Sequence, residues 1–385
     1  MTRRHVGLAT IVAVAIGLVV PTACGPKPPP GCQFAGGGLG RLGADKGLVV
    51  GGAYREWAAA SDPCYDAVAQ HELASVTPET STYMNTIAPS AGTYRFATAD
   101  GVCAKARAWG ARCQLWNVIW DPVDHPEWGI VPTWVRNLTP EQRHATMVQY
   151  VSDVVAHFAG KVETITVVNE AFDQTGALEP SVFNTTGNVD YIVDAFRAAR
   201  LADPAAKLFY NDYSAEGMNA KSDAVFALAQ RLRAETATVT VDGATRTMPL
   251  IDGVGLQSHL GTMPGYAPTP ASVAQNIARL AAIGVDVRLT ELDVRVPVVN
   301  GQVTQADRQK QADVYRDMVG VCVAAPTCEG VSFWGFTDKW SWITDYPGTF
   351  TGQGAALPIA ADYGRKPAYD AIVDALNGST RPPLG

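Results

Sequence analysis

The chain alternates between short apolar runs and longer amphipathic stretches. Apolar, β-favouring runs occupy residues 47–54, 74–78, 111–120, 162–169, 206–213, 253–259, 285–294 and 330–336. Helical patterns lie between them. Residues 140–158 place Met147, Val151, Val154, Val155 and Phe158 at helical spacing. Thr139-Pro140-Glu141 supplies that helix with a capping hydroxyl, a proline at the first position and an early acid. Residues 270–282 form a second helix, stopped by Gly284, and residues 364–376 a last one before Asn377-Gly378. Short strands alternating with helices imply βαβ units and a parallel sheet. Eight such units with right-handed crossovers can close into a barrel. The rival, an open doubly wound sheet, usually carries Gly-x-Gly-x-x-Gly after its first strand, and Gly51-Gly52 lacks that pattern. The predicted fold class is therefore α/β, a single (β/α)8 TIM barrel over residues 39–378.

The ends read differently. Arg3, Arg4 and His5 precede an apolar run at residues 6–20, too short to span a bilayer. The run ends at Pro21-Thr22-Ala23-Cys24. Residues 1–23 resemble a bacterial lipoprotein signal in which Cys24 becomes the lipidated N-terminus, with Pro21 where that box usually has Leu. A simple secretory signal is the alternative. Both readings place the mature chain outside the cytoplasm, secreted or at the cell surface. Residues 24–38, rich in Pro and Gly, read as a linker, and residues 379–385 as a tail. Without Cys24, six cysteines remain, an even number that suits an oxidising compartment. Cys322 with Cys328 and Cys103 with Cys113 are the close pairs, which leaves Cys32 with Cys64. No Cys-x-x-Cys occurs, so a metal site is not expected.

Composition narrows the partners. Of 385 residues 47% are apolar, enough for a large core, which excludes global disorder. A charged fraction of 17% and a net charge of -7 argue against nucleic acid or anionic lipid as partner. A neutral polysaccharide fits, with a membrane reached only through the lipid anchor, and a monomer is expected.

In a barrel of this kind the chemistry sits where strands end. The fourth run ends in Asn169-Glu170 and the seventh in Glu291-Leu292-Asp293. The fifth offers Asn211-Asp212-Tyr213, the sixth Gln257-Ser258-His259, and the eighth Trp334, followed by Trp342. Unpaired carboxylates after apolar strands are costly to bury. Glu170 and Glu291, three steps apart around the ring, should face each other across one pocket. Glycoside hydrolysis needs that arrangement, with tryptophans as flat faces for sugar rings.

The ordered motifs Val167-Val168-Asn169-Glu170-Ala171, Asn211-Asp212-Tyr213, Gly255-Leu256-Gln257-Ser258-His259, Thr290-Glu291-Leu292-Asp293 and Trp334-Gly335-Phe336-Thr337-Asp338 resemble those of glycoside hydrolase family ten, mainly endo-1,4-β-xylanases. Ser75-Val76-Thr77-Pro78-Glu79, Pro132-Thr133-Trp134-Val135, the Cys322–Cys328 loop and Lys366-Pro367-Ala368-Tyr369 add to it, so that the resemblance covers residues 48–376. It implies a retaining double displacement with Glu170 as general acid/base and Glu291 as nucleophile. It implies that Asn169 holds the sugar 2-hydroxyl and that His259 links Glu291 to Asp293. Tyr213 and Gln257 would line the cleft, and Trp334 and Trp342 would wall the reacting sugar. No metal or organic cofactor is implied.

The sequence departs from the family on the side that grips the non-reducing sugars. After Thr-Pro-Glu the family usually has Asn-Glu-Met-Lys-Trp, whereas this chain has Thr80-Ser81-Thr82-Tyr83-Met84. Thr80 and Tyr83 thus replace an Asn and a Lys, and Trp116 stands where the family has a sugar-binding His. Stacking is expected there in place of hydrogen bonding. Two alternatives follow: a retaining barrel glycosidase acting on another β-glycan, and a non-catalytic surface carbohydrate-binding barrel. Retention of both Glu170 and Glu291 argues against the second.

Overall fold

The eight apolar runs form eight parallel strands: β1 (Val49–Tyr54), β2 (Ser75–Pro78), β3 (Arg112–Leu115), β4 (Thr164–Asn169), β5 (Lys207–Asp212), β6 (Gly253–Leu256), β7 (Asp286–Pro297) and β8 (Cys328–Phe333). Each pairs with the next, and β8 also pairs with β1, so the sheet closes into a barrel. The computed structural model describes residue 32, residues 36–346 and residues 348–378. The expected export segment 1–23, Cys24, most of the expected linker and the expected tail 379–385 lie outside the described residues.

The strand interiors are buried almost throughout, as a sheet covered on its outer face by helices requires. The principal helices are α1 (Pro63–Glu72), α2 (Ala97–Ala108), α3 (Pro140–Phe158), α4 (Asp190–Ala202), α5 (Ala220–Ala234), α6 (Pro270–Ala282), α7 (Gln305–Ala324) and α8 (Pro367–Gly378). In α3 the Thr139 hydroxyl accepts from the Gln142 N–H while the Gln142 side chain accepts from the Thr139 N–H, a capping box. Among the described residues no helix is long and apolar enough to cross a membrane.

Two runs are shorter as strands than the hydrophobic pattern suggests. The third stops at Leu115 because Asn117 takes φ 31° and swings the chain, although Ile119 N–H still donates to Val167 O at 2.9 Å. The sixth breaks after Leu256, with Ser258 at φ 66°, and resumes as a short strand at His259–Gly261. Both breaks turn side chains toward the barrel mouth. A further hairpin, Thr236–Val241 with Ala244–Pro249, lies outside the barrel. Its two-residue turn, Asp242-Gly243, has φ 51° and 77°, the left-handed pair a tight hairpin needs.

Three disulfides brace the fold, Cys32–Cys64, Cys103–Cys113 between α2 and β3, and Cys322–Cys328 between α7 and β8, with Cα separations of 5.4, 5.2 and 5.2 Å. Near the N-terminus the buried Glu72 carboxylate accepts from Leu39 N–H at 2.9 Å and from the Tyr369 hydroxyl at 2.8 Å. The first described helix, α1 and α8 are thereby joined beside the barrel.

The register sets up the mouth. Asn169 lies opposite Asn211, and Asn211 opposite Gly255, so the ends of β4, β5 and β6 come level. The β4–β5 pairing shifts between Thr166 and Val168, and the β7–β8 pairing between Leu289 and Leu292. Such irregularities re-aim side chains, and here they sit on the two strands that carry Glu170 and Glu291.

Candidate active site

The C-terminal ends of the strands open into a cleft of about 910 Å³. Glu170, Glu291, Tyr213, Gln257, His259, Trp334, Trp342, Trp116, Thr80 and Tyr83 all line it. Asn169 and Asp293 lie just behind this surface, both fully buried.

Glu291 is held from three directions. Trp116 Nε1 and Asn211 Nδ2 donate to its Oε1 at 2.9 and 2.7 Å, and His259 Nε2 lies 3.2 Å from its Oε2. The Asn211 amide is oriented by Thr290, whose hydroxyl donates to Asn211 Oδ1 at 2.6 Å. Gly255 makes room for it: a Cβ there would lie 2.2 Å from Asn211 Oδ1. His259 Nδ1 sits 2.7 Å from Asp293 Oδ2, which also accepts from Trp342 Nε1 at 2.8 Å. Burial alone would lower the imidazolium pKa, but the Asp293 and Glu291 carboxylates beside it push it up to about 10. At neutral pH His259 is thus a cation that donates to both acids.

Glu170 is in a different environment. Trp120 Nε1 donates to Oε2 at 2.9 Å and Gln257 Nε2 to Oε1 at 2.7 Å. Loss of water contact raises its pKa; the Gln257 donor opposes this, and the nearby Glu291 charge raises it further. Two carboxyls in one cleft, one raised and one beside a cation, are the division of labour that acid and nucleophile require. A bridge of amides joins them. Asn169 Oδ1 accepts from Gln257 Nε2 at 3.2 Å and from Asn211 Nδ2 at 2.8 Å, leaving the buried Asn169 Nδ2 without an acceptor among the described residues.

The backbone at Glu170 is strained, with φ 55° in the left-handed region. It is pinned on both sides. Glu170 N–H donates to Asn211 O at 2.9 Å, and Ala171 N–H donates to the Tyr210 hydroxyl at 2.9 Å. That hydroxyl in turn donates to Asp212 at 2.5 Å, and Asp212 pairs with buried Lys221 at 2.8 Å. Lys221 Nζ also lies 3.1 Å over the Tyr213 ring.

Rings that follow β3 and β8, with His259 beyond β6, close a circuit in the cleft. Centroid separations run Trp116–Trp334 4.4 Å, Trp334–His259 6.4 Å, His259–Trp342 4.8 Å and Trp342–Tyr346 6.3 Å. Tyr346–Trp128 at 5.5 Å, Trp128–Trp120 at 5.6 Å and Trp120–Trp116 at 5.6 Å complete it. Tyr83 packs against Trp116 and Trp120 at 5.4 and 5.7 Å. Glu79 is clamped by Arg55, whose Nε and Nη2 each lie 2.7 Å from one of its oxygens.

Two residues that hold the carboxylates, Asn211 and Trp120, are absent from the sequence-derived site set. Trp120 ends the third apolar run and Asn211 stands two residues before the end of the fifth, which was the available signal. Among the described residues no group of three or more His, Cys, Asp or Glu is arranged to hold a metal ion.

Known proteins share this architecture. An endo-1,4-β-xylanase A of Fusarium oxysporum f. sp. lycopersici is 34% identical over 315 residues, covering 80% of this chain and 89% of that protein. An Agaricus bisporus endo-1,4-β-xylanase is 35% identical over 288 residues, covering 74% and 78%. Xylanase 10B from Thermotoga petrophila RKU-1, solved in complex with xylobiose, superposes with a TM-score of 0.79 at 31% identity, covering 90% of this chain and 99% of that one. The family model described as Glycosyl hydrolase family 10 matches residues 38–375, every strand and nearly all of α8 included. With one carboxyl just past the end of β4, the other on β7 and the barrel that carries them, the chain belongs to glycosyl hydrolase family 10.

Proposed function

We propose that this protein hydrolyses internal β-1,4-xylosidic bonds of xylan with retention of configuration. One observation carries the reading: Glu170 and Glu291 line a single cleft and are linked through Gln257, Asn169 and Asn211. In the first displacement Glu291 attacks the anomeric carbon while Glu170 gives its proton to the departing glycosidic oxygen. The sugar is then esterified to Glu291, and the neighbouring negative charge is gone. Glu170 becomes the stronger acid in that state, so it readily stays ionised and takes a proton from the incoming water. Water attacks the same carbon, and Glu291 leaves as a carboxylate. Asn169 Nδ2 is the donor left for the sugar 2-hydroxyl, and Trp334 and Trp342 wall the sugar being cleaved. Tyr213 and Gln257 complete the cleft wall.

The test is product analysis on linear xylan with the anomer followed by NMR. Xylo-oligosaccharides released first as the β-anomer support the reading; first release of the α-anomer overturns it. Glu291→Ala should lose turnover while keeping its fold, and full activity in that variant would remove Glu291 from its role.

The altered glycone wall favours a second reading of the substrate. The Trp116 and Trp120 N–H groups are occupied by the two carboxylates and Glu79 by Arg55, so stacking replaces hydrogen bonding there. Another β-glycan is then the substrate. Comparing xylan, arabinoxylan and mixed-linkage glucan decides between them. The signal-like residues 1–23 and the three disulfides support a chain placed outside the cytoplasm, released or anchored at Cys24. Fractionation of a Cys24→Ala variant separates those two fates.

A further inference from the structure

Six lysines and arginines are buried among the described residues, and five of them have a carboxylate partner. Arg55 pairs with Glu79, Arg200 with Asp252, Lys221 with Asp212, Arg288 with Glu329 and Lys366 with Asp338. The sixth, Arg295, is only 9% exposed and makes no ion pair among the described residues. Its one hydrogen bond runs from Nε to Leu260 O at 3.3 Å, which leaves both Nη groups unspent. The guanidinium is fixed in place between two rings, 4.8 Å from the Phe350 centroid and 5.6 Å from that of Tyr266.

A buried cation without a counter-charge is costly unless something in its surroundings meets it. Arg295 lines the catalytic cleft, so that partner can come from a ligand. Its position narrows the choice. Glu291, Asp293 and Arg295 alternate along β7 onto one face, and at 3.3 Å per residue Arg295 stands about 13 Å along the strand from Glu291. That is too far for the sugar being cleaved and suits a branch rising from the glycan backbone toward the mouth. Its free edge is a two-pronged donor that matches a carboxylate.

We propose that Arg295 binds the carboxylate of a uronic acid branch on the β-1,4-linked backbone, so that the cleft recognises an acidic, decorated xylan. The proposal rests on the xylan reading above. Tyr266, exposed beside it, offers a face for the branch sugar ring.

The experiment compares kcat/KM of the full chain on three xylo-oligosaccharides. One is linear, one carries a single glucuronic acid branch, and one carries the same branch with its carboxyl reduced to the alcohol. The acidic branch should be preferred over its reduced twin by about tenfold, in line with a charge-assisted pair, with the preference shrinking at high salt. In Arg295→Met the ratio between those two substrates should fall to about one, and Arg295→Lys should restore part of it, since charge survives without the fork. Equal rates of the native protein on the acidic and reduced branches overturn the proposal without any variant. Failure on all three oligosaccharides overturns instead the xylan reading on which it rests.

Discussion

Replacing Trp116 by Phe keeps a ring against Trp334 and removes one N–H. That N–H lies 2.9 Å from Glu291 Oε1. A hydrogen bond to a charged group contributes roughly 1.5–3 kcal/mol, and only the part that differs between ground and transition states reaches a rate. In the second displacement Glu291 leaves the sugar as a carboxylate that has regained part of its charge. With about half the charge developed, the loss is about 1 kcal/mol, roughly fivefold in rate. In the first displacement the same oxygen loses charge, so the missing donor speeds attack by a similar factor while Asn211 and His259 keep the carboxylate aligned. The glycosyl-enzyme should accumulate. Stopped-flow measurement with an aryl β-xylobioside bearing a good leaving group should show a fuller burst, relative to the steady rate, than the native protein gives, and mass spectrometry of quenched samples should find more adduct. A correctly folded variant whose burst and steady rate both match those of the native protein would reduce Trp116 to a packing residue.

Other perturbations have equally definite outcomes. Glu170→Ala should lose about 10²–10⁴-fold on xylan, where the leaving group needs a proton, and much less on aryl glycosides with good leaving groups. Because the Glu170 carboxyl is raised, xylan hydrolysis should fall on the alkaline side at a pH above the usual carboxylate range, whereas Glu170→Gln should show no such limb. His259 has a folded pKa of about 10, above its unfolded value of about 6.5. Its contribution to stability is therefore full below pH ~6.5 and is lost as pH rises toward 10. Urea unfolding at pH 6 and pH 9.5 should show a larger drop for the native protein than for His259→Gln. The Cys32–Cys64 bridge closes 32 residues, and Cys32→Ser with Cys64→Ser should cost about 3–4 kcal/mol on chain entropy, read as a lower Tm.

The barrel was legible because its eight strands are apolar runs and parallel strands under helices need little else. Helices α3 and α6 carry their boundaries in plain caps, Thr139-Pro140 and Thr269-Pro270. Glu170 and Glu291 stood out as acids at the ends of such runs. What the pattern could not carry was rotation. Asn117 and Ser258 leave the strand through left-handed backbone, and hydrophobicity is silent about that. Trp116 is a related case. As a residue type it reads as a stacking face for sugar, whereas in the fold its indole edge is turned toward Glu291. The Asp242-Gly243 hairpin had a local signal, an alternating Thr-Ala-Thr-Val-Thr-Val strand before a tight turn, but lies outside the eightfold alternation of the barrel.

The closed circuit of rings gives the protein an optical channel into its own chemistry. Five of its nine tryptophans stand in that circuit, close enough to pass excitation among themselves, and two of them touch the paired carboxyls through their indole N–H. Emission from this cluster should therefore respond when Glu170 gains or loses a proton and when a sugar displaces water from the rings. Ionisation and occupancy of the cleft become readable by fluorescence in the unlabelled molecule.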